Sequence, residues 1–210
     1  MNQDSIIAIY VSDKISLDAA NAADEWKSAK PITFCSDWQG KNADHGLETQ
    51  VRALWSREHL YLRFECRYRE LFMFEDSDPG GRRDHLWDRD VVEAFLQPAP
   101  SREGFYREFE VSPNGMWVDL DIFPEGRRDL GSGLERSVWL DREHHVWSAE
   151  LAIPMRALTP EFDPAAEWRV NFFRVEGARE PRFYSAWRAT KTPQPNFHVP
   201  EVFGRLRFAR

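Results

Sequence analysis

The sequence predicts an all-β fold, an antiparallel β-sandwich of jelly-roll or immunoglobulin-like type with one or two short helices. In most segments apolar residues recur at every second position, which is the period of a strand with one buried face. Turn residues separate these segments, and no alternation of strands with long helices indicates a parallel sheet. The chain has 210 residues and no long linker, so a single domain over residues 1–210 is expected.

Two β-hairpins show this pattern most clearly. In the first, residues 105–112 alternate in polarity, the turn Pro113-Asn114-Gly115 follows, and the chain is expected to return over 116–123. In the second, a polar turn separates residues 138–140 from 146–153, where Pro154 ends the strand. Further strands are expected at 6–11, 32–34, 49–55, 60–67, 91–97, 169–175 and 205–208, and short helical turns at 19–26 and 155–158.

The charge and the apolar content of the chain argue against nucleic acid and membranes as partners. The formal net charge is -7, so the chain as a whole repels the phosphate backbone of nucleic acid. No apolar run is long enough to cross a bilayer and no leader is visible, so we expect a soluble protein that stays in the cell or has lost a leader. Nine tryptophans are many for this length, and some aromatic rings are expected at the surface as ligand contacts.

Cysteines and aspartates offer little for a metal or cofactor. Cys35 and Cys66 are too few for a zinc or iron–sulfur site, so free thiols are expected, or one disulfide if their strands are neighbours. No cofactor is expected apart from a structural calcium ion, because loop carboxylates suit calcium although no D-x-D-x-D-G loop is present. The aspartates available for it are Asp84, Asp88, Asp90, Asp119 and Asp121.

One short phrase occurs twice. Gly81-Arg82-Arg83-Asp84 recurs as Gly126-Arg127-Arg128-Asp129, but the residues around the two copies do not repeat. We interpret the repetition as a coincidence between two solvated loops.

Glutamates inside the predicted strands are the most informative polar residues. They are Glu93, Glu108, Glu110 and Glu150. Because an isolated buried carboxylate is costly, each must face water, pair with an arginine or line a polar groove. For Glu93 the expected partner is Arg174. Two of them could also act as the carboxylate pair of a glycoside hydrolase, Glu93 with either Glu110 or Glu150.

Five segments, in order and spacing, resemble the family-nine carbohydrate-binding modules and their wider relatives. The likeness extends from about residue 18 to residue 208, and it implies an antiparallel β-sandwich. The segments are Leu86-Trp87-Asp88-Arg89-Asp90-Val91-Val92-Glu93-Ala94-Phe95, Tyr106-Arg107-Glu108-Phe109-Glu110-Val111-Ser112-Pro113-Asn114-Gly115, Trp147-Ser148-Ala149-Glu150-Leu151-Ala152-Ile153-Pro154, Asn171-Phe172-Phe173-Arg174 and Phe203-Gly204-Arg205-Leu206.

The resemblance implies a sugar site at one end of the sandwich. In sugar-binding members two tryptophans clamp the sugar ring, and polar side chains on the adjoining strands hold its hydroxyls. By position, Trp87 and Trp187 look like the two tryptophans, and Glu93 looks like the carboxylate that follows the first. The other ligand-binding candidates are Glu110, Asn171 and Arg174.

The predicted function is therefore non-catalytic binding of a mono- or oligosaccharide. Neither a G-x-S-x-G nor an H-E-x-x-H motif is present, which argues against nucleophilic and zinc-dependent catalysis. Glu110 departs from the family pattern, since sugar-binding members carry an arginine near that position, and two alternatives stay open. One is the glycoside-active enzyme described above. The other is a haem-binding domain of redox proteins, for which the axial ligands would come from Met73, Met116, Met155 and His85.

Overall fold

The computed structural model describes residues 4–75, 78, 80–99 and 103–210, and these residues form thirteen strands with very little helix. One short helix, α1, spans Met155–Leu158, and the four 3-10 turns are Asp24–Ser28, His45–Leu47, Leu86–Asp88 and Pro200–Val202. No helix in the described ranges is long and apolar enough to cross a membrane. The strands β1 to β13 are Ser5–Tyr10, Ile32–Phe34, Thr49–Trp55, His59–Arg67, Val91–Gln97, Tyr106–Val111, Trp117–Phe123, Gly126–Asp129, Glu135–Asp141, Val146–Pro154, Trp168–Glu176, Phe183–Ala186 and Gly204–Ala209.

All thirteen strands are connected in one curled sheet. The strand order is β8-β7-β6-β5-β11-β13-β1-β3-β4-β10-β9, with β12 added to β11 and β2 added to β3. Most neighbours are antiparallel, but β1 runs parallel to both β13 and β3. The two halves of the sheet share one hydrophobic core, so the sheet closes into the predicted β-sandwich.

The core has three parts. The largest lies between the two halves of the sheet and includes Trp147 and Phe172. A second covers the outer face of the half that contains β5, β6, β7 and β11, and includes Phe95 and Phe173. A third, smaller part lies under the segment 11–29 on the outer face of the other half. Both faces of the β5 half are therefore packed.

Strand β5 shows how this arrangement buries a charged residue. All seven of its residues are buried. Val92 and Leu96 pack in the central core, whereas Val91 and Phe95 pack in the outer one. Because side chains alternate across a strand, Glu93 shares the outer face with Val91 and Phe95.

The predicted hairpins are confirmed, and two strands were missed. The turn at 113–115 and the turn between β9 and β10 join antiparallel pairs, as expected. Strand β8 was taken for a loop because its four residues are all exposed and lack apolar alternation. Strand β12 has only four residues, and nothing in its sequence separates it from the irregular segment around it. The helical turn expected at 19–26 is the 3-10 turn Asp24–Ser28.

Cys35 and Cys66 are both free thiols, as expected by default. Cys66 lies opposite Thr49 on β3, and Thr49 lies opposite Phe34 on β2, next to Cys35. Strand β3 therefore lies between the two cysteine-bearing segments, and the alternative of a disulfide is not realised.

Candidate functional site

A cavity of about 490 Å³ opens on the outer face of the half-sheet that contains β5 and β6. Glu93, Glu108 and Glu110 form its floor, while Trp87 and Tyr184 are among the aromatic residues of its wall. The cavity thus combines buried carboxyl groups with aromatic rings, which is the polar and apolar mixture typical of small-molecule sites.

The floor carboxyls are brought together by strand register. Glu93 on β5 lies directly opposite Glu110 on β6, and Glu108 precedes Glu110 by two residues, so all three side chains share one face. One oxygen from each lies within 4.8 Å of the others. The three residues are 2%, 3% and 0% exposed, respectively. We refer to them below as the carboxyl floor.

Burial and mutual repulsion hold protons on the carboxyl floor. Removal from water raises the pKa of Glu93 well above its usual value, and the charge of Glu108 raises it further. Burial likewise raises the pKa of Glu110, with additional contributions from Glu93 and Glu108. Both shifts favour the protonated forms of Glu93 and Glu110 when no cation is bound.

Trp87 is held at the cavity wall by its neighbours on a short turn. It is the middle residue of the turn Leu86–Asp88, directly before β5. The guanidinium carbon of Arg127 lies 4.4 Å from the centre of the indole, and the His85 ring centre lies 4.8 Å from it. Arg127 also pairs with Asp84 at 3.3 Å. The indole is therefore fixed by contacts on the protein side while it lines the cavity.

The two copies of the repeated sequence contact each other in the structure. Arg82 of the first copy pairs with Asp129 of the second at 2.5 Å, and Arg127 of the second copy pairs with Asp84 of the first. The second copy is exposed, as expected of a solvated segment, and the structure adds that the two copies are neighbours. These exposed pairs contribute little stability, but they place Arg127 over Trp87.

Asp90 connects the start of β5, the strand that carries Glu93, to two flanking segments by hydrogen bonds. Its carboxylate accepts hydrogen bonds from the backbone N–H groups of Phe72 and Gly177, each at 2.9 Å. It also forms an ion pair with Arg182 at 3.3 Å, and Arg182 donates to the backbone carbonyl of Trp87. Asp90 and Arg182 therefore position the wall of the cavity, and their charges are matched to each other.

The far wall comes from the segment between β11 and β13. Phe197 stacks on Phe173 with ring centres 4.2 Å apart. The neighbouring His198 shares a hydrogen bond of 2.6 Å between its Nδ1 and the Tyr106 hydroxyl. These contacts, together with the pairing of β12 to β11, hold Tyr184 and His198 against the cavity.

Trp187 does not take part in this site, which corrects the two-tryptophan clamp. It is 6% exposed and packs in the central core, with its ring centre 5.8 Å from that of Phe172. Phe172 and Phe173 point to opposite faces of β11, and only the Phe173 face carries the cavity. Trp87 and Trp187 therefore lie on opposite sides of the sheet and cannot hold one ligand between them.

Asn171 is also structural. Its side chain donates to the carbonyl of Arg188 and accepts from the Arg188 N–H, both at 2.9 Å. This pair of bonds holds the chain after β12 against β11. Its amide is thereby used within the protein, and it is not among the residues that line the cavity.

Arg174 faces the interior of the sandwich, so the expected pairing with Glu93 was wrong. Arg174 lies opposite Val92 in the sheet, one residue out of step with Glu93, and its side chain projects from the other face. There it donates to the Leu47 carbonyl at 3.1 Å and forms an ion pair with Glu176. In the described residues no ion pair involves Glu93.

Glu150 is remote from the cavity and is neutralised by a different arginine. It lies opposite Arg63 on β4, and the two side chains pair at 2.5 Å. Its second oxygen accepts from the Asp18 N–H at 3.0 Å. The catalytic pair Glu93 with Glu150 is therefore not assembled, whereas Glu93 and Glu110 do share the cavity.

Three of the four residues considered as haem ligands lie in different surroundings. Met116 is buried in the outer core and Met155 in the central core. His85 is exposed on the turn beside Trp87. The structure thus offers no support for the haem alternative from these three residues.

The sequence interpretation overlooked four residues of this site. Glu108 has a recognisable signal, because it lies two residues before Glu110 and must share its face. Arg127 was signalled by the repeated phrase. Arg182 and Tyr184 lie in a stretch without periodicity, and only the tertiary structure brings them to the cavity.

Comparisons with known proteins agree with this fold. Residues 17–209 match the family model described as carbohydrate family 9 binding domain-like. An "Extracellular protein" of Arthroderma benhamiae is 25% identical over 178 residues, covering 77% of this chain and 78% of that one.

Two solved structures have the same fold. A crystal structure from Bacteroides uniformis ATCC 8492 superposes with a TM-score of 0.77 at 17% identity and covers 97% of this chain and 98% of its own. A carbohydrate binding module of family 9 from Caldicellulosiruptor kristjanssonii in complex with cellotriose gives a TM-score of 0.68 at 16% identity, covering 98% and 93%. The resemblance inferred from the five sequence segments is confirmed, and the chain belongs to the carbohydrate family 9 binding domain-like family.

Proposed function

We propose that the chain binds a mono- or oligosaccharide, without catalysing its hydrolysis, in the cavity between Trp87 and the carboxyl floor. The observation that carries the proposal is the placement of a fixed indole beside three buried carboxyls in one cavity. Membership in a carbohydrate-binding family supports the ligand class, as does the family 9 module that shares the fold and was solved with cellotriose.

The chemistry of the cavity suits a sugar. The C–H face of a pyranose packs on an aromatic ring, and Trp87 and Tyr184 offer two such rings. Carboxylates accept hydrogen bonds from sugar hydroxyls, whereas a protonated carboxyl also donates one. The cavity volume of about 490 Å³ falls in the range of roughly 300–1,000 Å³ that is usual for small-molecule sites.

Calorimetric titration with glucose, cellotriose and oligosaccharides of other sugars tests the proposal. Trp87→Ala is expected to weaken sugar binding at least tenfold, about 1.4 kcal/mol, because it removes the stacking surface. Glu93→Gln should weaken binding less, since an amide still forms hydrogen bonds. Trp139→Ala is the matched control, because Trp139 is 38% exposed on β9, away from the cavity.

Two results would count against sugar binding in this cavity. One is a wild-type protein that binds no glycan on a broad array. The other is a Trp87→Ala variant that binds sugar as tightly as Trp139→Ala does. Release of product from aryl glycosides by the wild type, abolished in Glu93→Gln, would contradict the non-catalytic part of the proposal.

A further inference from the structure

The carboxyl floor has the geometry of a cation site. One oxygen from each of Glu93, Glu108 and Glu110 lies within 4.8 Å of the other two. Calcium binds oxygens at about 2.3–2.6 Å, so two oxygens on one calcium ion lie at most about 5 Å apart. The three carboxyls are therefore close enough to contact a single ion after small adjustments of their side chains.

The floor also contains buried oxygens that no group outside the floor satisfies. Glu110 is completely buried, and apart from the neighbouring carboxyl of Glu108 its carboxyl oxygens have no hydrogen-bond partner in the described part of the chain. Oε2 of Glu108 likewise has no partner outside the floor among the described residues. Both residues line the cavity, so a ligand that enters it lies beside these carboxyls. A buried carboxylate without a partner is unfavourable, and a bound cation would remove that cost.

The arginines near the cavity are committed elsewhere. Arg127 pairs with Asp84 and packs on Trp87. Arg182 pairs with Asp90. Arg89, the third arginine of the lining, donates to a backbone carbonyl and packs over two phenylalanine rings. In the described part of the chain, therefore, no arginine forms an ion pair with the carboxyl floor.

Three of the aspartates considered for calcium have partners of their own. Asp90 accepts two backbone N–H groups, and Asp119 accepts the N–H of Ser132 at 2.7 Å. Asp121 pairs with Arg128 at 3.1 Å. Across the described ranges, the carboxyl floor is the one group of three or more possible metal ligands in mutual reach.

We propose that Glu93, Glu108 and Glu110 bind one calcium ion at the floor of the cavity. The ligands are all oxygens, which select a hard cation. Calcium is favoured over magnesium because it accepts irregular coordination by six to eight oxygens, whereas magnesium demands a near-ideal octahedron that three side chains on a rigid sheet do not adjust to form. The remaining coordination positions face the cavity and take water or, if the proposed function holds, sugar hydroxyls.

The experiment starts from protein freed of metal by a chelator. Calcium is titrated calorimetrically, and terbium luminescence excited through tryptophan gives a second readout, because Trp87 lines the same cavity. We expect one ion per chain, a calcium-dependent rise in melting temperature, and displacement of terbium by calcium at a lower concentration than by magnesium.

Two variants and a control locate the ion. Glu110→Gln and Glu108→Gln each remove one charged ligand and are expected to weaken calcium binding at least tenfold while the metal-free variants stay folded. Glu143→Gln makes the same change of net charge at an exposed residue and should leave calcium affinity unchanged. A wild type that binds no calcium at millimolar concentration, or floor variants that bind as tightly as Glu143→Gln, would overturn the calcium site.

Sugar titrations with chelator and with calcium separate the two proposals. A wild-type protein that binds calcium but binds no sugar, in either chelator or calcium, contradicts the proposed function alone. A wild-type protein that binds sugar but binds no calcium contradicts the calcium site alone.

Discussion

At the scale of single residues, Trp87 and Trp187 show that the surroundings of a side chain decide its role. Both are tryptophans beside turn-rich sequence, and their type and position predicted a shared clamp. Trp87 is half-buried and lines the cavity, whereas Trp187 packs on Phe172 in the central core. No single-sequence pattern separates a stacking platform from a core ring when both lie outside the alternating strands.

Trp187→Ala is expected to lower the free energy of unfolding by about 3–5 kcal/mol, the usual cost of truncating a core tryptophan. Denaturant unfolding measures it, and the exposed Trp139→Ala serves as the control. Sugar and calcium affinities of the folded variant should match those of the wild type. A loss of ligand affinity without loss of stability would restore Trp187 to the site.

The two cysteines should differ sharply in reactivity. Cys66 is fully buried, and burial raises the pKa of its thiol to about 12. Cys35 is only partly buried. Because the thiolate is the reactive form, a thiol reagent should modify Cys35 readily in the native protein. It should modify Cys66 only after the protein is denatured. Two equally fast modifications in the native protein would contradict this packing of β4.

At the scale of elements, alternation within a strand was predictable from the sequence, but register between strands was not. The sequence implies that Glu108 and Glu110 share a face. The pairing of Glu110 with Glu93 depends on how the loop between β5 and β6 sets their register, and local sequence does not encode that. The same limit explains the wrong pairing of Glu93 with Arg174. Strands β5 and β11 were both identified, but the register between them was not.

The Glu150–Arg63 pair links β10 to β4 and anchors the segment before the first 3-10 turn. Glu150 is fully buried, so Glu150→Ala leaves the Arg63 guanidinium with only its longer contact to Glu65, at 3.7 Å, and should cost up to about 3–5 kcal/mol of unfolding free energy. Thermal or denaturant unfolding measures this loss. Replacement of both residues, Glu150→Ala with Arg63→Met, should recover part of it.

The control for that pair is Glu65→Ala. Glu65 pairs with Arg52 across β3 and β4 and lies 3.7 Å from Arg63, but its side chain is 34% exposed. Truncating it should therefore cost no more than about 1 kcal/mol, the usual limit for a surface pair. Equal losses for Glu65→Ala and Glu150→Ala would show that burial does not distinguish the two pairs.

At the scale of the whole molecule, the fold class was predictable because turn signals and period-two alternation agree along most of the chain. The site was only partly predictable, since its residues come from segments far apart in sequence. Trp87, Glu93 and Glu110 line one cavity. Trp187, Asn171 and Arg174 were assigned to the site from the family resemblance, although they serve the packing of the sandwich.

Buried carboxyls also give the whole molecule a characteristic dependence of stability on pH. Burial raises the pKa of Glu93 and Glu110, and it raises that of Glu176 to about 7. Each group has a higher pKa folded than unfolded, so the stability it contributes is fully present below its unfolded pKa of about 4.5 and is lost as the pH rises through the folded value. Asp90 acts in the same direction, whereas His59, whose pKa burial lowers, acts in the opposite one.

Without bound metal, the protein should therefore become less stable as the pH rises from about 5 to 8. Chemical denaturation in chelator at several pH values measures the slope. In Glu110→Gln the slope should be shallower, because one proton-binding carboxyl is gone and the repulsion on Glu93 is relieved, while Glu143→Gln should keep the wild-type slope. Added calcium should restore stability most at high pH, where the carboxyl floor has lost its protons and binds a cation best. A slope that Glu110→Gln leaves unchanged would show that the floor does not carry the protons its burial implies.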